Sequence, residues 1–590
     1  MKSLLQILTS LIIDFERLEP GVKGLHRDLL TMKARIEAEG YGFATIALPS
    51  FGKALDKGLH EGRFAPLHGF SRARGLSLPK FLLGLTSKIF DAVSGEILEH
   101  PDVHAVKMLR ELTYVFRKLA LDSSQVEKLD TEAKRKFFSL DKSISITLSD
   151  ANRYYLDRVS SFVLKNLDDF SLLNCKHGRG AVDEKLTSNQ KWLAVSRGIE
   201  SFDPLLHFAG YDLESFLKFD PMSEDSASSS CNFVRLVTVP KNSRSRRTIT
   251  VEPTLKQYVQ QGLNDHLRKE ILKCSVLRNC IALSDQAKNQ ILAEIGSRDG
   301  SYATLDLSSA SDLLSLDLVK IVFSKHPRFL SGLILSRTEV VQDSPDLLRK
   351  YAGMGNATTF PVQSVCFAIL SIASILEHRR IRPTFRNIVA VARNIQVYGD
   401  DIIVKTEYYT PVVEWLHLSG LSVNQDKSYF RGSFRESCGL DAFKGYTVTP
   451  VYIKALPDET SIEAKTVENL VSASNLFWER GLYKTSTTIV DLVEKAVRNR
   501  LPLVRKDSGI LGLHTRRDAF DFQRWNRTLH RREVFCLTSR VPKRRDNLDG
   551  HGALLKSFLT PLIGRDSEHL RETSKRYSKR KYRLRWVHAG

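Results

Sequence analysis

Asp400 and Asp401 stand side by side in Ile395-Gln-Val-Tyr-Gly-Asp-Asp-Ile-Ile-Val-Lys. β-Branched runs on both sides of Gly399 predict a hairpin that carries the two carboxylates at its tip. Adjacent acids on an apolar hairpin repel each other and are costly to desolvate unless a cation sits beside them. A plain surface turn also tolerates Gly-Asp, so the pair alone leaves both readings open. A further acid shifts the balance. Ala303-Thr-Leu-Asp-Leu-Ser-Ser-Ala-Ser-Asp-Leu-Leu predicts a short strand ending on Asp306 and a helix after it, with Ser308 or Ser311 as N-cap. A strand-end carboxylate facing a hairpin-tip pair suits two metal ions about 3.5–4 Å apart, the clamp that serves in-line phosphoryl transfer. Mg2+ is the expected metal for an all-oxygen ligand set, and nothing in the sequence excludes Mn2+.

Other groups would serve the same chemistry. Val239-Pro-Lys-Asn-Ser-Arg-Ser-Arg-Arg-Thr-Ile-Thr-Val crowds Lys241, Arg244, Arg246 and Arg247 onto one turn, where they repel unless they share an anion such as a triphosphate. A solvated basic turn is the plainer alternative. In Gly353-Met-Gly-Asn-Ala-Thr-Thr-Phe-Pro, two glycines would let backbone approach a base pair or sugar, and Asn356 both donates and accepts hydrogen bonds. The helix after it is read as starting at Pro361. Lys427 could protonate a departing pyrophosphate if its pKa is tuned. Arg435 and Cys438 have no partner His nearby, which argues against a nucleophilic or metal role for the thiol and for a local structural or primer-strand role.

Elements must position these groups. Apolar residues recur at three- and four-residue spacing from Phe81 to Val93 and from Val106 to Leu119, which predicts two helices parted near Pro101. Lys176-His-Gly-Arg-Gly-Ala reads as a loop, and Ser223 to Ser230 as a polar linker. Val237-Thr-Val and Thr248-Ile-Thr-Val read as strands. Helical periodicity returns after Ile462. Leu4 to Ile13 faintly imitates a signal peptide, but Gln6, Thr9 and Ser10 interrupt it and an amphipathic helix is the better reading. No apolar run approaches the ~20 residues that span a bilayer, so no membrane is expected.

A chain of 590 residues with 42% apolar residues can bury large cores and form several subdomains. Its net charge of +21 favours a polyanionic partner. Seven cysteines without a CxxC pair read as reduced thiols of a cytoplasmic protein. Near the C-terminus Lys575, Arg576, Lys579, Arg580, Lys581, Arg583 and Arg585 interleave with Tyr577, Tyr582 and Trp586. Cations can neutralise RNA phosphates and aromatics can stack on unpaired bases, so RNA contact is preferred over a solubilising tail.

In order along the chain these segments resemble the palm motifs of viral RNA-dependent RNA polymerases, and most closely the replicase catalytic (beta) subunit of the single-stranded RNA phages, the leviviruses. PKNSRSRRTITVEP (240–253), DLSSASD (306–312), MGNATTF (354–360), YGDD (398–401) and FRESCG (434–439) carry the resemblance, with NLFW (475–478) weaker. The resemblance implies an α+β right-hand fold of fingers, palm and thumb, with an antiparallel palm sheet and helical N- and C-terminal regions. It places a helical N-terminal region in 1–170, fingers in 171–300, palm in 301–455, and thumb with basic tail in 456–590. Asp306, Asp400 and Asp401 become metal and catalytic residues, and Lys427 a candidate general acid. Lys241 and Arg247 meet the nucleotide's phosphates on a turn shared with Arg244 and Arg246. Ser311, Asp312, Gly355 and Asn356 lie near ribose or template. Expected partners are RNA template and product, NTPs, and by family precedent host translation factors and a ribosomal protein, in the bacterial cytoplasm. A reverse transcriptase or a non-enzymatic RNA-binding protein is the alternative; the first leaves Gly399 and FRESCG unexplained, and the second gives no reason to gather three aspartates. Pro361-Val-Gln, where coliphage relatives carry acidic residues, and the extra cation Arg246 depart from the pattern.

Overall fold

The computed structural model describes residues 1–120, 126–200, 203–210, 233–242, 244–342, 344, 346–457, 463–507, 510–514, 521, 523–540, 548–559 and 581–588. The fold mixes helices and small sheets around two large cores. One core gathers apolar residues between Ile144 and Val423. The other joins Leu4–Leu119 to Tyr429–Leu501, so the first stretch of chain packs against a much later one.

The N-terminal helix Lys2–Leu18 buries Leu4, Ile7, Leu8, Leu11, Ile12 and Phe15, the amphipathic face its spacing predicts. Its buried Asp14 reaches across to the helix Tyr483–Val497 and accepts from the Thr485 backbone N–H at 2.8 Å and the Thr485 hydroxyl at 2.9 Å. An N-terminal carboxylate so placed favours the positive end of the later helix.

Of the two helices expected between Phe81 and Leu119, the second forms as Val103–Tyr114, capped by Asp102. The first shrinks to Leu83–Thr86. Leu82 sits at φ +56°, and Asp91 Oδ1 accepts from the backbone of Val93 and Ser94, so a turn competes with helix at each end. Phe81, Leu82, Leu85, Ile89 and Phe90 are buried as foreseen, though mostly from turns, and Val93 is exposed.

Strands β1 (Phe233–Asn242) and β2 (Ser245–Val251) form an antiparallel hairpin. β3 (Tyr302–Asp306) joins a separate antiparallel sheet described below, and β4 (Val340–Val341) pairs with β1 in parallel. β5 (Ile395–Tyr398) and β6 (Asp401–Lys405) are the arms of the predicted acidic hairpin, and the sheet order is β3-β6-β5. β7 (Phe434–Ser437), β8 (Leu440–Phe443) and β9 (Tyr446–Thr447) make a second small antiparallel sheet. The loop at 176–181 is irregular as expected, with Lys191 Nζ donating to the carbonyls of Gly178 and Gly180, each at 2.7 Å. The linker at 223–230 lies outside the described residues.

Thr359–His378 corrects the expectation that no apolar stretch is long enough to span a bilayer: among the described residues this one helix is. Of its most apolar 18-residue window 94% is buried inside the protein, beneath the acidic hairpin, as in a core helix. Its start at Thr359 falls two residues before Pro361.

The C-terminal region is also less helical than expected. After Ala464–Glu479, which carries NLFW, and Tyr483–Val497, β10 (Leu503–Val504) pairs with β11 (Leu513–His514). Then β12 (Arg524–Asn526), β13 (Arg531–Arg540) and β14 (Lys581–His588) form an antiparallel sheet. The alternation of Lys581-Tyr-Arg-Leu-Arg-Trp-Val is a strand pattern that charge content masked.

Candidate active site

β3 and β6 pair in a register that sets Asp306 directly opposite Asp401, while Tyr398 of β5 flanks Asp401 on the other side. Gly399 and Asp400 make the turn. Gly399 has φ +61°, and a Cβ there would stand 2.7 Å from the Phe360 ring. Its N–H donates to Ser364 Oγ at 3.2 Å, so the acidic tip is docked on the first turns of the 359–378 helix. Glycine is required both by the turn and by that docking.

Asp400 is exposed at the tip, whereas Asp306 and Asp401 are half-buried. Burial pushes the Asp401 carboxyl up to about 7, the charges of Asp400 and Asp306 add to the shift, and hydrogen bonds from Cys438 oppose it. Asp306 is likewise raised, first by burial, with Lys427 and Asn424 pulling it down and Glu436 and Asp400 pushing it up. Asn424 Nδ2 donates to Asp306 Oδ2 at 2.8 Å, and the Asp306 N–H donates to Ser428 Oγ at 3.2 Å. Among the described residues no three His, Cys, Asp or Glu side chains already converge as a metal cage. The donor set nevertheless suits a hard divalent cation, being all oxygen and carrying repulsion that a cation would relieve. Exposed side chains such as Asp400 change rotamer on the ps–ns timescale, which allows convergence upon a cation.

Lys427 stands beside these acids, 3.9 Å from Asp306 Oδ2 and 3.2 Å from Glu436 Oε1. Its ammonium is desolvated, yet the two carboxylates more than compensate and hold its proton more tightly than in free lysine. That is the reverse of the downward tuning that a general acid needs. Glu436, inside FRESCG on β7, was not singled out from sequence; an acid in a motif next to a lysine-bearing one was the available signal. Asn424 and Ser428 were missed for lack of any such signal.

Arg435 is wholly buried, with Nε donating to the Tyr302 carbonyl at 2.7 Å and Nη1 to the carbonyls of Arg431, Gly432 and Phe434. It fastens β7 to the strand that delivers Asp306, a structural role.

The basic hairpin divides its four cations. Lys241 is held below the usual lysine range by desolvation and then by the Arg247 and Lys427 cations, with Asp306 pulling the other way, so these groups share one electrostatic neighbourhood. Arg244 lies exposed at the turn. Arg246 is turned away from it. Its guanidinium pairs with Asp130 and donates to Thr238 Oγ1 and the Thr238 carbonyl, each at 3.1 Å, which removes it from the expected phosphate-binding set.

The Gly-Asn loop lies against β2. Thr250 N–H donates to the Met354 carbonyl at 2.7 Å, and a Cβ on Gly355, whose φ is +136°, would stand 1.9 Å from the Thr250 carbonyl oxygen. The close approach that glycine allows at 355 is therefore to the protein's own strand, rather than to a base pair or sugar. Gly355→Ala should cost about 3 kcal/mol or more of stability, read from the midpoint of denaturant unfolding; a loss under about 0.5 kcal/mol would refute this packing. Asn356 Oδ1 accepts from the Thr358 N–H at 2.8 Å and its hydroxyl at 2.6 Å. Asn356 Nδ2 and Ser311 Oγ are buried and make no hydrogen bond among the described residues. Asp312 Oδ1 accepts from Lys350 Nζ at 3.2 Å. Neither Ser308 nor Ser311 is an N-cap: the short helix Ala310–Leu313 follows a left-handed Ser309, and Ser315 caps the next helix, Leu316–Phe323, by accepting from Leu318 N–H.

In the tail, residues 575–580, with Lys575, Arg576, Tyr577, Lys579 and Arg580, lie outside the described residues. Lys581 and Tyr582 open β14, whose Arg583, Arg585 and Trp586 follow. The Arg524 guanidinium lies 4.0 Å from the Trp586 ring centre, and Phe535 packs at 5.2 Å, so the protein already occupies part of the indole surface assigned to bases.

The segment that carries these acids and the basic hairpin, residues 215–462, matches the family described as RNA replicase, beta-chain. The resemblance to levivirus replicases is shown over that segment. The chain is 36% identical over 225 residues to the RNA-directed RNA polymerase subunit beta of Qbeta virus (strain MX1), covering 38% of this chain and 36% of the relative. It is 38% identical over 219 residues to the RNA-directed RNA polymerase beta chain of Enterobacteria phage fr, covering 37% of each. It is 32% identical over 288 residues to the RNA-directed RNA polymerase subunit beta of Enterobacteria phage SP, covering 48% of this chain and 47% of the relative. The matched portion is thus less than half of each of these relatives.

Proposed function

We propose that this chain is an RNA-dependent RNA polymerase that copies single-stranded phage RNA from ribonucleoside triphosphates. The observation that carries the proposal is the register that pairs Asp306 with Asp401 beside Asp400, in one neighbourhood with Lys241, Arg247 and Lys427. Asp306, Asp400 and Asp401 would hold two Mg2+ ions, or Mn2+. Bound there, the ions supply a lowered pKa for the attacking hydroxyl and charge neutralisation for the departing pyrophosphate. Lys241 and Arg247, with Arg244 at the rim, bind the nucleotide's phosphates. Asp312, Ser311 and Asn356 hold the ribose. Lys427 neutralises Asp306 and Glu436.

In right-hand terms the β3-β6-β5 sheet is the palm within 301–455, the β1–β2 hairpin belongs to fingers in 171–300, and the thumb lies in 456–590. The relatives are named as a subunit or chain beta, which supports action with further chains; host translation factors and a ribosomal protein, in the bacterial cytoplasm, are added by the precedent of the resembled family alone. Arg583, Arg585 and Trp586 add RNA contacts through what Arg524 leaves uncovered.

The test is template-dependent incorporation of NTPs against dNTPs with Mg2+. No incorporation by the chain with its partners supplied would sink the reading, and a preference for dNTPs would replace it with a reverse transcriptase. Because Asp401 titrates at about 7 without metal, a cation must displace its proton. Affinity for Mn2+, measured by titration, should fall by up to about tenfold per pH unit below 7 and level off above it. A flat profile from pH 5.5 to 8 would show that Asp401 is not a ligand.

A further inference from the structure

The helix Val126–Ser143 buries only Phe137 and Asp141 of its 18 residues, so apolar packing is a small part of what holds it. Polar pins supply the rest. Asp130 meets Arg246 and the Thr238 hydroxyl on the basic hairpin. Asp141 accepts the backbone N–H groups of Arg349 at 3.0 Å and Lys350 at 2.9 Å. Between these pins the Lys350 ammonium lies 3.4 Å from the centre of the Phe137 ring and donates to the Phe137 carbonyl at 3.2 Å. The same ammonium donates to Asp312 Oδ1 at 3.2 Å.

Lys350 is 0% exposed. A buried ammonium is costly unless its charge is balanced and its protons are satisfied. Here the 126–143 helix provides a carbonyl and an aromatic face, and Asp312 provides the charge. The next residue points elsewhere: Tyr351 Oη shares a 2.7 Å hydrogen bond with Thr358 Oγ1, and Thr358 holds Asn356 Oδ1. The backbone between them is fixed by Leu316 N–H to the Arg349 carbonyl at 2.9 Å and Tyr351 N–H to the Leu314 carbonyl at 2.7 Å. One extended segment therefore sets both Asp312 and Asn356.

We propose that Lys350 is a positioning residue for sugar selection: it aims the Asp312 carboxylate at the ribose, and the 126–143 helix is the brace that holds Lys350 in place. This rests on the polymerase reading above. A site built to hydrogen-bond a substrate hydroxyl rejects the analogue without it, because its polar groups are otherwise left unpaired. A misaimed Asp312 would weaken that rejection without touching the metal ligands.

The experiment compares kcat/KM for GTP and 2′-deoxy-GTP on one template, together with equilibrium affinity for each. Lys350→Met should lower the GTP preference by about tenfold, mainly through KM for GTP, as loss of one well-formed hydrogen bond to a charged group predicts. Asp141→Asn, which loosens the brace alone, should move the ratio in the same direction by about threefold. Asp312→Asn should add little in the Lys350→Met background, since both act through one contact. Equal losses for both nucleotides, or losses that simply multiply, would overturn the proposal. If Lys350→Met fails to fold, an unchanged ratio in Asp141→Asn overturns it by itself. A wild-type chain that incorporates neither nucleotide refutes the polymerase reading, and this inference with it.

Discussion

Asp401→Asn should abolish template-directed incorporation, by about a thousandfold or more, while leaving the protein as stable as before or more so. The two halves of that expectation come from one fact. Asp401 sits opposite Asp306 and next to Asp400, half-buried, with its carboxyl pushed up to about 7. A raised carboxyl pKa means that the folded state binds the proton more tightly than the unfolded chain. Its ionised form therefore works against folding as pH rises from about 4 through 7. Asparagine removes the charge in nearly the same volume, so unfolding by denaturant at pH 8 should shift upward by about 1 kcal/mol or more. Lost activity with lost stability would point to a structural carboxylate. Retained activity would remove Asp401 from the metal site.

A larger effect on stability, of the opposite sign, is expected at a second buried charge cluster. Arg110 is 2% exposed and pairs with Asp56 and, at 2.6 Å, with Asp441, while its Nε donates to the Val448 carbonyl at 3.0 Å. Tyr114 completes the cluster by donating to Asp56 Oδ2 at 2.7 Å. Burial raises both carboxyls, and Arg110 is the chief group pulling them back down. Arg110→Met strands two acids in the core and should cost about 3–5 kcal/mol at pH 7.5. Without the guanidinium both pKa values rise further, so protonation favours the folded variant and the deficit should shrink on acidification toward pH 5. Denaturant unfolding of both proteins at the two pH values checks it; a deficit that is equal or larger at pH 5 would show that the acids are not the cause.

The placement of the acids was more legible in the sequence than the scaffold. A hairpin tip such as Gly399-Asp400-Asp401 writes itself locally, in β-branched arms around a glycine, and Asp306 at a strand end is nearly as local. The opposition of Asp306 to Asp401 is not local; it depends on strand order, which motif order could suggest only by resemblance. The basic hairpin was read correctly as strands, yet its charges were counted as one set, because nothing around Arg246 announces that Asp130, more than a hundred residues earlier, claims it. The same holds for Gly355, whose neighbour proved to be Thr250 rather than a ligand. Periodicity misled between Phe81 and Val93, where buried turns use the same apolar spacing as a helix. The 581–588 strand was hidden because cations occupy the positions that polar residues take in ordinary strands.

The core that joins Leu4–Leu119 to Tyr429–Leu501 has a consequence for synthesis. When Leu119 leaves the ribosome, its packing partners from Tyr429 onward are 429 − 119 = 310 residues away. At about 5–20 residues per second, the wait is on the order of 15 to 60 s. Throughout it the apolar face of the first helices is without its later half, an interval in which chaperones and neighbouring nascent chains compete for that surface. A chain released early keeps its hairpin acids but lacks the elements that close this core. Truncated products would accordingly be aggregation-prone, and folding of this core would be timed by the emergence of Tyr429–Leu501 rather than by the appearance of the acids.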